Sequence, residues 1–178
     1  DLHINLYLCA MNNFDVIVIG AGPAGLFAAG RAAELGGKVL VLEKMKREGR
    51  KLLITGKGRC NITNDAPISQ FIKHVYPNGR FLRTAFSSFF SKDIIELLKE
   101  HGVEITLERG GRYFPASNRS SDVFRALLHW VKNSKVDIRC SYRVEELIVE
   151  DNTIKGVQAN GQRFMCNHVI MATGGKSY

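Results

Sequence analysis

The sequence predicts an α/β domain built on a parallel sheet, and three observations carry that prediction. Residues 14–19 form a short apolar run that feeds directly into Gly20-x-Gly22-x-x-Gly25. An Ala-rich helical stretch over 23–35 follows, stopped by Gly36 and Gly37. A second apolar run, 38–42, then ends on Glu43, about 20 residues past the turn. Strand, glycine turn, helix, strand and acid in that order are the fingerprint of a βαβ unit that holds an adenine dinucleotide.

Each residue type in the turn has a physical task. Gly20 permits the tight turn, Gly22 lets the backbone approach a pyrophosphate, and Gly25 lets the helix pack closely on its strand. Ala21, Pro23 and Ala24 complete the turn without bulk at the phosphates. Free N–H groups and the helix dipole favour negative charge there. Glu43, at the end of the neighbouring strand, is placed to accept hydrogen bonds from a ribose diol. Its carboxylate would repel a 2′-phosphate, which disfavours NADP at this site.

After Glu43, residues 44–64 are basic and then Gly-rich, with neither helical nor alternating periodicity, and are expected to form a structured loop against an anionic ligand. Helical spacing recurs over 81–90 and 91–101, with Ser91 as N-cap and Gly102 as stop. Residues 103–108 alternate as a strand, 110–122 form a long polar turn, and a helix spans 123–131. A short strand covers 136–140. Three strands joined by turns at Asp151-Asn152 and Asn160-Gly161 then make a β-meander that ends in Ala172-Thr173-Gly174-Gly175.

The chain has 178 residues, 45% of them hydrophobic, which is enough for one domain with a buried core. Its formal charge of +8 comes from basic residues spread along the sequence, with no arginine-rich tract, so no nucleic-acid partner is expected. Cys9, Cys60, Cys140 and Cys166 are widely spaced, as suits a reducing, cytoplasmic setting. His3, His74, His101, His129 and His168 lack metal-ligand spacing, so no metal is expected. No apolar run reaches membrane-spanning length. Residues 1–10 read as an upstream extension before Met11, and 11–178 as the domain. No Ser-His-Asp order, C-x-x-C pair or H-E-x-x-H motif supports a hydrolase, thiol oxidoreductase or metalloprotease.

The glycine turn, the Glu43 spacing, the meander and the ATGG strand resemble the Rossmann-like FAD-binding domain of two-dinucleotide-binding-domain flavoproteins. More specifically, KLLITGKGRCNITN, GRYFPASNRSSDV and VIMATGGKSY are similar to marker segments of the bacterial HI0933-like flavoprotein family, NAD(P)/FAD-dependent oxidoreductases that include aminoacetone-oxidase-like members. The resemblance implies FAD held by Gly20, Gly22 and Gly25 at the pyrophosphate and by Glu43 at the adenosine ribose, with Lys44 beside it. It places Arg50, Lys51, Thr55, Gly56, Gly58, Arg59, Cys60 and Asn61 along the phosphate, ribityl or flavin region. Val144 would meet adenine through its backbone, and Ala172, Thr173 and Gly174 would approach the dinucleotide. Lys57 departs from the three glycines common in relatives.

Family members run well beyond the equivalent of Tyr178, so the sequence is expected to be an N-terminal portion that lacks the family's C-terminal part, with the ATGG strand short of one neighbour. The expected activity is flavin-mediated electron transfer between a donor, a reduced pyridine nucleotide or an organic substrate, and an acceptor; no catalytic residue is assigned. Three other readings stay open: an inactive dinucleotide-binding fragment, an NAD-dependent dehydrogenase, and an RNA-linked flavoprotein, which would require a clustered basic face.

Overall fold

The computed structural model describes residues 13–175; the proposed extension 1–10, Met11, and the last residues of the GGKSY segment lie outside that range. In chain order the elements are β1 (Asn13–Ile19), α1 (Pro23–Glu34), β2 (Val39–Glu43), α2 (Arg50–Ile54), a 3₁₀ turn (Thr55–Gly58), β3 (Thr63–Asn64) and α3 (Ile68–Lys73). A second 3₁₀ turn (Gly79–Leu82), α4 (Arg83–Ser88), α5 (Ser91–Glu100), β4 (Ile105–Glu108), β5 (Arg112–Pro115) and α6 (Ser120–Asn133) follow. The chain closes with β6 (Asp137–Cys140), β7 (Val144–Glu150), β8 (Thr153–Ala159) and β9 (Gln162–Met171). It divides into two compact units, one running up to Arg50 and resuming at Leu127, the other being Lys51–Ala126.

The first unit is a six-stranded sheet in the order β6-β2-β1-β9-β8-β7. β6, β2, β1 and β9 run parallel, with Val18 opposite Val41, Ile19 opposite Met171 and Glu43 opposite Cys140. β7, β8 and β9 form the antiparallel meander. β2 reads Val-Leu-Val-Leu, apolar on both faces, as a strand covered on both sides must be. Ile17, Val18, Leu40, Val41, Val157 and Phe164 are all fully buried. α1 turns Leu26, Ala29 and Gly30 inward. A Cβ on Gly30 would lie 2.5 Å from the Trp130 ring, so the glycine is what lets the indole lie against the helix. Trp130 is anchored by its Nε1–H, which donates to Glu34 Oε1 at 2.7 Å.

β9 serves two neighbours in succession. Its first residues, 162–165, pair with β8, while Met165, Cys166 and 168–171 pair with β1. That continuity joins the meander to the parallel strands, with β9 beside β1 and its end directly beside the glycine turn.

The second unit has its own core of Leu52, Cys60, Leu98, Val103, Val123 and Ala126, closed by Ile62, Ile94, Leu97, Ile105 and Phe124. Its small sheet has the order β3-β5-β4. Here the structure refines several expectations. The loop over 44–64 contains α2 and the 3₁₀ turn, and the polar turn over 110–122 contains β5, in which Phe114 and Pro115 are buried. The helix expected over 123–131 runs longer, over Ser120–Asn133. Ser91 opens α5 as its first helical residue rather than its cap: Phe90 is the capping position, its N–H bonded to Asp93, and the buried Ser91 hydroxyl pairs with Thr63 Oγ1 at 2.7 Å.

Candidate functional site

The glycine turn caps β1 where β1, β2 and β9 end side by side. Gly20 has a φ of +108°, open to glycine, and a Cβ there would fall 2.5 Å from the Ala172 carbonyl oxygen. A Cβ on Gly25 would fall 1.8 Å from the Gly20 carbonyl oxygen. Both glycines are therefore demanded by protein packing. Gly22 differs: nothing lies within 4 Å of its would-be Cβ. It is the residue before α1, with Pro23 following, no side-chain cap and no acidic residue in the first turn. The result is an open backbone surface at an uncapped helix N-terminus, which suits a pyrophosphate.

Hydrogen bonds hold this turn from three sides. Gly20 N–H donates to the Leu42 carbonyl at 2.8 Å, Ala172 N–H to Ile19 at 2.9 Å, and Gly49 N–H to Ala21 at 2.9 Å. Glu43 joins them with its side chain: Oε2 accepts from Ala21 N–H and Oε1 from Met45 N–H, each at 2.8 Å. A carboxylate has about four acceptor positions, so two such bonds leave room for a ribose hydroxyl. Lys44 and Arg50 are exposed, and Gly174, at φ +78°, has open space around it. Ala172 is half-buried and Thr173 exposed. Val144 packs at the margin of the first unit's core, next to Tyr142, whose N–H donates to the Glu43 carbonyl at 2.9 Å. The first unit thus brings Gly20 to Gly25, Glu43 and Ala172 to Gly174 to one end of the sheet.

The remaining expected residues belong to the second unit. Lys51, Thr55, Gly56 and Asn61 are exposed and Cys60 is buried. The backbone from Gly56 winds left-handed: φ is +55° at Gly56, +57° at Lys57, +87° at Gly58 and +61° at Cys60. Cys60 N–H donates to Thr55 at 3.1 Å and Arg59 N–H to Gly56 at 3.2 Å, closing the turn on itself. The Arg59 guanidinium is engaged by protein: Nε donates to Asn118 Oδ1 at 2.7 Å, a terminal nitrogen pairs with Glu108, and the group lies 4.2 Å over the Phe114 ring. Burial pushes the Cys60 thiol above its ordinary pKa, so it stays protonated at neutral pH.

Residues outside the expected set also make contacts that order each unit. Met45, Gly49 and Tyr142 act through backbone groups, which leave no side-chain signal. Cys140 donates its thiol to Glu48 at 3.7 Å, and Tyr113 donates to Asp65 Oδ1 at 2.9 Å. These are long-range pairs that only strand register reveals.

The family profile described as HI0933-like protein Rossmann domain matches residues 14–178. The chain is 32% identical over 172 residues to a ribosomal RNA dihydrouridine synthase of Escherichia coli K12, covering 94% of this chain and 41% of that protein. It is 35% identical over 164 residues to a 3-dehydro-bile acid delta(4,6)-reductase of Clostridium scindens, covering 90% and 39% respectively. Among solved structures, a 3-ketosteroid-delta4-(5alpha)-dehydrogenase from Rhodococcus jostii RHA1 shares the fold, with a TM-score of 0.68 over 91% of this chain and 46% of that one at 18% identity. The chain spans about 40% of the length of these curated relatives.

Proposed function

Because the chain belongs to the HI0933-like family, with a Rossmann-type FAD-binding domain, we propose that it is the cofactor-binding portion of a flavin-dependent oxidoreductase. The observation that carries this reading is the contrast at the turn: Gly20 and Gly25 are glycine because protein backbone crowds them, whereas Gly22 faces open space at an uncapped helix N-terminus. In this reading Gly22 and the first turn of α1 hold the pyrophosphate. Glu43 takes the adenosine ribose while keeping the turn closed through Ala21. Lys44 and Val144 flank the adenosine, and Ala172, Thr173 and Gly174 border the dinucleotide. Arg50, Lys51, Thr55, Gly56, Gly58, Cys60 and Asn61 serve the phosphate-to-flavin stretch. Arg59 contributes by holding its turn to Glu108, Asn118 and Phe114.

The bound flavin would supply two-electron redox chemistry, with a reduced pyridine nucleotide or an organic substrate as donor. The curated relatives' names, a dihydrouridine synthase and a delta(4,6)-reductase, both describe hydrogen added across a carbon–carbon double bond, and that is the reaction class we put forward. Of the two substrate classes these names carry, the stretch between Asp65 and Asp93, which has Lys and Arg but no carboxylate, favours a nucleobase held in RNA. This departs from the expectation drawn from the even spread of basic residues.

The test is the visible spectrum of the purified chain after FAD is added and the excess removed. Retained flavin that is lost in Gly22→Val, with the circular dichroism of the variant unchanged, is the expected result. A well-folded wild type that retains no flavin would overturn the assignment for this chain.

A further inference from the structure

We propose that the surface built by α3, the following 3₁₀ turn and the start of α4 in the second unit is a docking site for single-stranded RNA. The proposal deepens the RNA reading of the substrate given above. Between Asp65 and Asp93 the sequence has no carboxylate, yet it carries Lys73, Arg80, Arg83 and Lys92. Among the described residues none of these four is ion-paired, and all are exposed. A basic face of this kind is invisible in an even tally of charge along the chain.

The fold draws these cations together. Gly79 lies so close to α3 that a Cβ on it would meet the Ile72 carbonyl oxygen at 2.0 Å. Lys73 and Arg80, the next residues on each side of that contact, therefore leave the same point, and the loop between them carries Tyr76. Phe71, Phe86 and Phe90 interlock beneath, with ring centroids 5.1 to 5.8 Å apart, and tie α3 and α4 to the start of α5, where Lys92 sits.

Two aromatic rings stand outside that packing. Tyr76 is 94% exposed and Phe81 73% exposed. Interior packing accounts for neither ring. Exposed rings among unpaired cations match what a single strand needs, since unstacked bases lie on aromatic faces while Lys and Arg neutralise the phosphates. A duplex, whose bases are already stacked, offers the rings nothing equivalent.

The test is fluorescence anisotropy of this chain with a labelled mixed-sequence RNA of about 12 nucleotides, single-stranded and then annealed to its complement, at about 50 and 200 mM salt. Wild type should bind the single strand more tightly than the duplex. Tyr76→Ala with Phe81→Ala should weaken binding by about tenfold or more at both salt concentrations. Arg80→Ala with Arg83→Ala should lower the salt slope by about 1.4, since each phosphate neutralised on a single strand accounts for about 0.7. Lys132→Ala with Lys155→Ala removes the same charge elsewhere and should change little. The proposal is overturned if wild type fails to bind, if both surface pairs bind as wild type does, or if the Lys132 and Lys155 pair loses as much. Binding to phosphatidylglycerol vesicles in place of RNA would also overturn it. Flavin absorbance, read on the same samples, separates the two claims: flavin retained without RNA binding removes the surface alone, and RNA binding without flavin removes the cofactor reading alone.

Discussion

Lys57 is one of several non-glycine residues whose backbone is at odds with its side chain. It occupies the left-handed region beside Gly56 and Gly58, at a φ of +57°, and no described ion pair holds its ammonium there. The left-handed conformation costs an L-residue about 1–2 kcal/mol, and glycine forfeits about 0.5–1 kcal/mol of chain entropy. Lys57→Gly is therefore expected to stabilise the protein by roughly 0.5–1 kcal/mol, a rise of a few degrees in Tm, read by thermal melting. An unchanged or lower Tm would mean that Lys57 makes a contact worth more than its strain. Gly22 is the opposite case, a glycine at an ordinary φ of −76° with nothing within 4 Å of its would-be Cβ.

At the scale of elements, the closeness of α1 to the end of α6 rests on one small-to-large fit. Gly30→Ala places a methyl 2.5 Å from the Trp130 ring and should cost about 1–3 kcal/mol by overpacking. Trp130→Leu should relieve much of that, so the two changes together should cost less than the sum of each alone in urea unfolding. Additive costs would show that the helix and the indole adjust separately. The same scale shows what sequence makes legible. β1, α1, β2 and the meander announce themselves through apolar runs, a glycine stop and paired turn residues, and the glycine turn with Glu43 comes with them because its chemistry is local. β5 does not: Arg-Tyr-Phe-Pro is short, ends in proline and is preceded by two glycines, and becomes a strand only because β3 and β4 pair with it on either side. α2 is hidden likewise, since five residues carry too little periodicity to register. The partners of Arg59, up to 59 residues away in sequence, belong to packing alone.

Across the whole molecule, both units bury a thiol. Cys60 lies in the core of the second and Cys166 in that of the first, and burial raises the pKa of each above the ordinary thiol value. The folded state therefore holds these protons more tightly than the unfolded chain. Their contribution to stability is complete below about pH 8.5 and is lost as pH rises from there through the higher folded values. Urea unfolding at neutral pH and at about pH 10 should show a loss of stability that is smaller in Cys60→Ala with Cys166→Ala; equal losses would sink this account. No linker marks the two units in the sequence, because the chain leaves the first unit at Arg50 and re-enters it at Leu127 within helices rather than at Gly/Ser-rich joints. The double pairing of β9 extends over a similar range. Gly156 sits so close to Phe164 that a Cβ would meet its carbonyl oxygen at 2.1 Å, which fixes how β8 and β9 align. Since β9 continues without a break into Ala172 and Thr173, its register on β1 acts as a ruler for the glycine turn. A one-residue slip of β9 along β1 would pull Ala172 away from Gly20 and open that turn, so a change well outside the turn can undo what its glycines permit.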